Sequence, residues 1–211
     1  MTTLSKARMT TDRYRLSFTT GGLFVQEAPL VAERYLALRD WSQTRYQVRN
    51  DNLLQVRTAA AALRISKELV SRLELLELTE LEELVHGSLR DRGFLLWVAA
   101  CRRYAIIHDF AVEVLREHYL LRRHISFKDY DAFYNSKALW HTELDEIATS
   151  TQHKLRQNLF RMLRDADLIS DQQHIQAAML SPRVAQLLAR RGRDELLVFP
   201  ASDNDMKRWL T

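Results

Sequence analysis

The chain has 211 residues, of which 46% are hydrophobic and 27% charged, and its net charge at pH 7 is +4. This composition is that of a globular protein and excludes a disordered or collagen-like chain. The apolar run at 94–101 is much shorter than the ~20 residues that a membrane-spanning helix needs, so no membrane interaction is expected.

The residue types favour helices in a reducing compartment. Only 5 glycines and 3 prolines are present, and β-branched alternation is scarce, so the predicted class is all-α. The single cysteine, Cys101, has no partner for an internal disulfide. The N-terminal residues lack the apolar core of a signal peptide. A cytoplasmic location is therefore expected.

The first elements form a basic group of helices. A helix with Pro29 in its first turn is predicted to end near Asp40, and Asp40 is predicted to cap a short second helix. The polar triplet 50–52 ends that helix, and Thr58 is the predicted cap of a third. The third helix has one apolar stripe and is expected to turn its cations outward. These cations are Arg57, Arg64, Lys67 and Arg72.

The next stretch is acidic. Residues 74–83 contain five glutamates and no basic residue, so this helix is expected to repel phosphates. Thr79 and Glu82 fit a capping box for it, and Gly87 is expected to end it. Ser88 and Asp91 then fit the start of the next helix.

The middle of the chain predicts the core. Residues 89–123 are too densely apolar for a surface helix, so they are expected to form the central helices. Ser126 and Asp129 cap a following helix, and another is predicted over 141–149. Helical spacing indicates that the aromatic side chains of this region pack beneath the helix after that, rather than stack on bases. They are Phe127, Tyr130, Phe133, Tyr134 and Trp140.

A helix over about 150–166 has the pattern of a DNA-recognition helix. Ser150 or Thr151 is expected to cap it, with apolar side chains such as Leu155 and Leu159 facing inward. Hydrogen-bond donors on its outer face suit base edges, and long cations beside them suit phosphates. The outer residues are Gln152, His153, Lys154, Arg156, Gln157 and Arg161.

The residues after this helix complete a winged helix-turn-helix pattern. Residues 168–175 predict a short hairpin, the wing. Ser181 and Pro182 are expected to start a helix that Gly192 ends, with a single turn near Trp209 at the end of the chain. A third basic segment lies in this region. It consists of Arg183, Arg190, Arg191 and Arg193.

Catalytic patterns are weak. The seven histidines are scattered without metal-ligand spacing, and Gly21–Gly22 lacks the pattern of a phosphate-binding loop. His108 and Asp109 are expected to be a buried, satisfied pair, and Cys101 an inert core residue. No catalytic residue, metal or cofactor is therefore predicted, and the chain is not expected to be an enzyme.

Several spaced segments resemble the BrxA family of bacteriophage exclusion (BREX) systems. They are YRLSFTTGGL at 14–23, NLLQ at 52–55 leading into RTA at 57–59, LWVAACRRY at 96–104, DYDAFYN at 129–135 and LSPR at 180–183. The resemblance implies an all-α, DNA-binding component of a phage-defence system. It also implies that a DNA methyltransferase, a phosphatase-like protein and ATPases work beside the chain. No catalytic residues are carried over from the family.

The predicted organisation is one compact unit with three parts. Residues 1–75 form an N-terminal subdomain with the first helix-turn-helix, 76–124 form the core helices, and 125–211 form a C-terminal subdomain with the second. The predicted function is non-catalytic binding of double-stranded DNA, mainly through its phosphates, by a monomer. The predicted DNA-binding residues are Arg57, Arg64, Lys67, Ser150, Thr151, Gln152, Lys154, Arg156, Gln157 and Arg161.

Two alternatives remain open. The first is that the chain is an assembly adaptor, whose acidic helix and basic faces dock other BREX proteins. The second is that it is an RNA-binding helical module. The RNA interpretation requires exposed aromatic side chains or a single-strand channel, which the sequence does not clearly show.

Overall fold

The computed structural model describes residues 13–210 and confirms the all-α class. The predicted absence of a signal peptide concerns mainly residues that lie outside this range. A π-helical segment, Ala111–Arg116, joins α6 to α7. The α-helices are α1 (Glu27–Leu38), α2 (Trp41–Asn50), α3 (Ala59–Leu73), α4 (Leu78–His86), α5 (Leu89–Arg103), α6 (Ala105–Phe110), α7 (Glu117–Leu120), α8 (Phe127–Ala138), α9 (Thr149–Asp165), α10 (Pro182–Arg191) and α11 (Asp203–Leu210).

Most of the predicted helix starts are confirmed. The Asp40 carboxylate accepts a hydrogen bond from the Gln43 N–H at 2.9 Å. The Ser88 hydroxyl accepts one from the Asp91 N–H at 3.1 Å, and Ser181 does the same for α10. These bonds satisfy amide groups that have no partner inside the helix, which explains why the capping residues could be identified locally.

Thr58 caps α3 and offers a direct test of this capping. Its hydroxyl accepts the Ala61 N–H at 3.2 Å. We expect Thr58→Ala to lower the free energy of unfolding by about 1 kcal/mol, because that amide loses its partner. Urea unfolding of both proteins measures the difference. Thr58→Asn is the control, since asparagine also caps well, and an equal loss in both variants would contradict the capping role.

Three local predictions are wrong. The capping box of α4 is formed by Glu77 and Glu80, not by Thr79 and Glu82, and Glu80 also pairs with Arg102. The predicted helix over 141–149 is only a 3-10 turn, Thr142–Leu144. The chain after Pro200 forms the two-turn helix α11 rather than a single turn.

The failure at 141–149 has a long-range cause. The Glu143 carboxylate accepts the backbone N–H of Tyr14 at 2.5 Å and contacts His141 at 3.1 Å. The Tyr14 ring stacks on the His141 ring at 3.8 Å. These contacts with Tyr14 therefore keep residues 141–149 from forming the predicted α-helix. Helix α9 consequently starts at Thr149 with Ala148 as its N-cap, so neither Ser150 nor Thr151 caps it.

The core is built around α5, as predicted. Its residues from Gly93 to Cys101 are all buried, and the indole of Trp97 donates to the Val198 carbonyl at 3.0 Å. Cys101 is 4% exposed, and burial raises the pKa of its thiol, which fits an inert core residue. Helix α5 contacts α3, α4, α6 and α9, so one helix connects the early and the late parts of the chain.

An extended segment, 13–24, is fixed across this core. Phe18 and Leu23 are fully buried, and the Asn158 amide donates to the Phe18 carbonyl at 2.9 Å. The Tyr14 hydroxyl donates to Asp109 at 2.5 Å. Burial by itself raises the pKa of Asp109, but hydrogen bonds from His108 and Tyr14 and the charge of Lys137 lower it to about 2.

The prediction for His108 and Asp109 is wrong in one respect. The two side chains are 42% and 26% exposed, so they are not a buried pair.

Among the described helices, none is long and apolar enough to cross a membrane.

Candidate nucleic-acid interface

The two basic helices predicted from the sequence meet at one cleft. Arg64 of α3 lines it together with Lys154 and Arg161 of α9. The loop 19–22 lines it as well, and the volume is about 920 Å³. We call this site the basic cleft. Arg64 and Arg161 lie almost 100 positions apart in the sequence, so the fold brings the two predicted surfaces together.

Helix α9 turns one polar stripe outward. The stripe has the spacing i, i+3, i+4, i+7 and i+11 of a single helix face. The opposite face buries Leu155, Leu159 and Leu163, as predicted. Thr151 and Gln152 are only partly exposed. The exposed stripe consists of Ser150, His153, Lys154, Gln157 and Arg161.

Arg156 does not belong to this stripe. Its guanidinium lies over the Phe127 ring at 4.7 Å and pairs with Asp131 of α8 at 2.5 Å. Its side chain is 17% exposed. Arg156 therefore joins α9 to α8, and its placement in the predicted DNA-binding set is not supported by this geometry.

The cations of α3 divide in the same way. Arg57, Arg64 and Lys67 are exposed, as predicted. Arg72 is 1% exposed, so its predicted outward position is wrong. Its guanidinium donates to Glu68 at 2.7 Å and to the Gly22 carbonyl at 2.8 Å.

The exposed cations of the two basic helices have no acidic partner among the described residues. Within residues 13–210, no ion pair involves any of the five exposed cations of α3, α9 and the turn before α3. By contrast, Arg72 and Arg156 are each paired with a carboxylate. An unpaired cation keeps its full charge for a phosphate. The five are Arg57, Arg64, Lys67, Lys154 and Arg161.

The loop 19–23, which contains the cleft residues 19–22, is hydrogen-bonded to both α9 and α3. The Leu23 N–H donates to Asp165 of α9 at 2.8 Å, and Arg72 of α3 holds the Gly22 carbonyl. Gly21 has a φ of +66°, a conformation that side chains disfavour. A methyl group on Gly22 would overlap with the Asp165 carboxylate and crowd Arg161. From the sequence, this glycine pair was identified only as part of the segment YRLSFTTGGL and as lacking the pattern of a phosphate-binding loop.

Gly22→Ala is expected to disturb the cleft. The added methyl group must displace the Asp165 carboxylate from the Leu23 N–H, and the overpacking costs about 1–3 kcal/mol. Urea unfolding measures this loss. In a double-mutant cycle with Asp165→Ala, we expect the two losses to be less than additive, because the second change removes the overlapping group. Strict additivity would show that the methyl group is accommodated elsewhere.

The acidic stretch 74–83 covers the turn after α3 and the first part of α4, and most of its charge is neutralised by neighbouring arginines. Glu80 pairs with Arg102 at 2.6 Å, and Glu77 pairs with Arg191 at 2.6 Å. Glu74 pairs with Arg45, and Glu83 lies 3.7 Å from Arg183. Little of the acidic charge predicted for docking therefore remains unpaired.

The predicted wing is reduced to a single antiparallel bridge between Ile169 and Ile175. The Ser170 N–H donates to the His174 carbonyl at 2.9 Å. Residues 121–125 run beside it, since the Ile125 N–H contacts the Gln173 carbonyl at 3.4 Å. They add two exposed cations, Arg122 and Arg123, that the sequence analysis missed. The pair of adjacent arginines after an apolar run was the available signal.

The aromatic set packs beneath α9, with one exception. Phe127 lies edge-on to Phe160 of α9 at 4.7 Å, and Phe133 lies edge-on to Phe110 at 5.4 Å. Tyr130 and Tyr134 are buried as well. Trp140 is 82% exposed, so its predicted place in the core is wrong. In the part of the chain that is described, no group of three or more His, Cys, Asp or Glu side chains suits a metal ion.

Comparison with known proteins adds independent findings. A family model described as BrxA matches residues 12–192. The chain is 28% identical over 183 residues to a protein named BREX protein BrxA from Escherichia coli O9:H4 (strain HS), and the match covers 84% of each chain. A crystal structure of an uncharacterized protein from Magnetospirillum magneticum is similar with a TM-score of 0.73 and 22% identity, over 89% of this chain and 96% of that one. This last likeness shows a shared fold.

Proposed function

The chain belongs to the BrxA family of the BREX phage-defence system, and from this premise we propose that it binds double-stranded DNA in the basic cleft. Phosphates of the duplex contact Arg64, Lys154 and Arg161, and Arg57 and Lys67 extend the contact along α3. Other BREX proteins are the partners that family membership suggests.

One observation carries this proposal. Three cations from two distant helices line the same cleft, and none of them is paired with a carboxylate within residues 13–210. Cations that meet phosphates release condensed counterions, which supplies most of the free energy of non-specific DNA binding. Arg72 and Arg156, by contrast, are each paired with a carboxylate.

The exposed face of α9 suits contacts to phosphates more than base readout. Ser150 and Gln157 are donors for base edges, whereas Thr151 and Gln152 are partly covered. Two exposed donors give limited discrimination between sequences. We therefore propose binding with little sequence preference, in which α9 mainly positions the duplex.

The proposed role is binding without catalysis by a single unit. The acidic side chains that line the cleft are Glu27 and Asp165, and Asp165 already holds the Leu23 N–H. No side chain of the cleft is arranged as a nucleophile beside a base. We propose that the segments 1–75, 76–124 and 125–211 act together, because the cleft takes residues from the first and the third.

A titration with three nucleic acids tests the class of ligand. The protein is titrated against a fluorescent 20-base-pair DNA duplex of random sequence, the matching RNA duplex and single-stranded DNA, at two salt concentrations. We expect the tightest binding for duplex DNA, with affinity that falls steeply with salt. Preference for either of the other ligands, or no duplex binding at low salt, would refute the proposal and favour the RNA-binding or adaptor role.

A further inference from the structure

A second surface lies between α10 and α11, away from the residues of the basic cleft. The two helices pack against each other and leave an open groove of about 800 Å³. Its floor is apolar: Ala189 is partly exposed, and Ala185 and Trp209 lie beneath it at 4% and 5% exposure. Three arginines, Arg183, Arg190 and Arg208, also line it. We call this surface the C-terminal groove.

The floor of the groove presents a helix face with small side chains. Pro182, Ala185, Gln186 and Ala189 follow the i, i+3, i+4 and i+7 spacing of one face of α10. Of these four, Pro182 and Gln186 are exposed and Ala189 is partly exposed, whereas Ala185 is buried. Leu210, which is 45% exposed, extends the apolar surface at the end of α11.

Among the described residues that line the groove, the charged ones are all arginines. Arg190 is exposed, and no carboxylate of the described chain pairs with it. Arg183 is 3.7 Å from Glu83, which is a loose pair, and Arg208 contacts Asp205 at 2.6 Å. The groove thus combines an apolar floor with guanidinium groups that favour carboxylates, the complement of an amphipathic acidic helix.

We propose that the C-terminal groove is a docking site for an acidic amphipathic helix of a partner protein. Apolar side chains of that helix lie on Pro182, Ala189 and Leu210, and its flanking Asp or Glu side chains pair with Arg190 and Arg183. Arg183 and Arg190 are seven residues apart, about 10.5 Å along the axis of α10, so acidic residues two turns apart match both. DNA fits this surface less well, because a phosphate backbone would contact the arginines and leave the apolar side chains of Ala189 and Leu210 uncovered.

A selection with displayed peptides tests this proposal on the full-length protein. A library of 18-residue helical peptides is selected on the unmodified protein alone, and Ala189→Trp, which fills the groove, is kept for the binding measurements. We expect the enriched peptides to carry apolar residues at i, i+3 and i+4 and a net negative charge. Their affinity is then measured by fluorescence anisotropy on three variants.

The variants separate the groove from charge in general. We expect Arg190→Glu and Ala189→Trp each to weaken binding of the enriched peptides at least tenfold. Arg193→Glu is the matched control, since it makes the same charge change on an exposed residue outside the groove, and it should leave the affinity unchanged. Enriched peptides that are basic, or that bind Arg190→Glu as tightly as the unmodified protein, would overturn the proposal. Dissociation of a dimer of this chain by Ala189→Trp would also overturn the proposal, because the groove would then bind a second copy.

Circular dichroism of each variant guards against misfolding. The DNA titration serves as a second readout, because the groove variants should keep the duplex affinity of the Arg193→Glu control. Loss of DNA binding in Arg190→Glu alone would place nucleic acid in the groove and would also overturn the proposal.

Discussion

A chain that carries Arg64→Ala, Lys154→Ala and Arg161→Ala is expected to lose most of its affinity for duplex DNA. Each lost phosphate contact should reduce the slope of log Kobs against log salt by about 0.9, so the three changes together reduce it by about 2.7. If these contacts contribute little at 1 M salt, the same slope corresponds to an affinity loss on the order of 500-fold at 0.1 M salt. Anisotropy titrations at four salt concentrations measure both quantities.

The matched control removes three cations elsewhere. Arg190, Arg193 and Lys207 are exposed residues of the C-terminal region, and their replacement by alanine changes the net charge by the same amount. We expect this control to keep the salt slope of the unmodified protein. Equal losses in both triple variants would show that DNA responds to the total charge of the chain and not to the basic cleft.

Arg72→Met should cost about 3–5 kcal/mol of unfolding free energy, because it leaves the buried Glu68 carboxylate without its cation. Glu68 is 8% exposed and also accepts the Tyr104 hydroxyl at 2.5 Å. The Arg72 guanidinium further lies between the rings of Phe24 and Tyr104, at 5.7 and 5.8 Å from their centroids. Burial, followed by the charge of Glu68, raises the pKa of Tyr104, so its hydroxyl stays protonated and donates to Glu68 only as a neutral group.

A double variant separates the charge from the packing. When Glu68→Gln accompanies Arg72→Met, no unpaired charge remains, and we expect the double variant to be more stable than Arg72→Met alone. Urea unfolding of the two single variants and the double variant completes the cycle. A loss below 1 kcal/mol for Arg72→Met, or costs that simply add, would contradict a buried ion pair that anchors loop 19–24.

The helices of the chain were predictable because their signals are local. Asp40, Thr58, Ser88 and Ser181 each cap a helix through an amide three residues away, so the bond depends on few other parts of the fold. The buried and exposed faces of α9 follow from a spacing of 3.6 residues in the same way. The segment 141–149 was predicted wrongly, because Tyr14 from the distant N-terminal segment binds Glu143.

Two arginines were misplaced although their spacing carried a signal. Arg72 follows Ile65 and Leu69 at i+7 and i+3, and this places it beside the buried face of α3. Arg156 precedes Phe160 and Leu163 at the spacings i+4 and i+7, beside the buried face of α9. Charge alone suggested that both point to solvent. Their partners, Gly22 and Asp131, come from other segments, and only the fold shows that these segments cover them.

The basic cleft itself was only half predictable. The sequence indicated that α3 and α9 are each basic, and Arg64, Lys154 and Arg161 were all in the predicted set. It gave no sign that the two helices meet or that loop 19–23 is held between them by Asp165 and Arg72. Their meeting depends on α5, which packs against both.

Site-specific photocrosslinking tests most directly whether DNA lies in the basic cleft. A benzophenone side chain is placed at Gln157 on the exposed stripe of α9, at Lys67 on α3, or at Gln186 in the C-terminal groove as the control. Each protein is irradiated with a labelled DNA duplex at low salt. If DNA lies in the basic cleft, we expect crosslinks from Gln157 and Lys67 and none from Gln186. Crosslinks from Gln186 without any from Gln157 or Lys67, which flank the cleft on α9 and α3, would contradict this proposal.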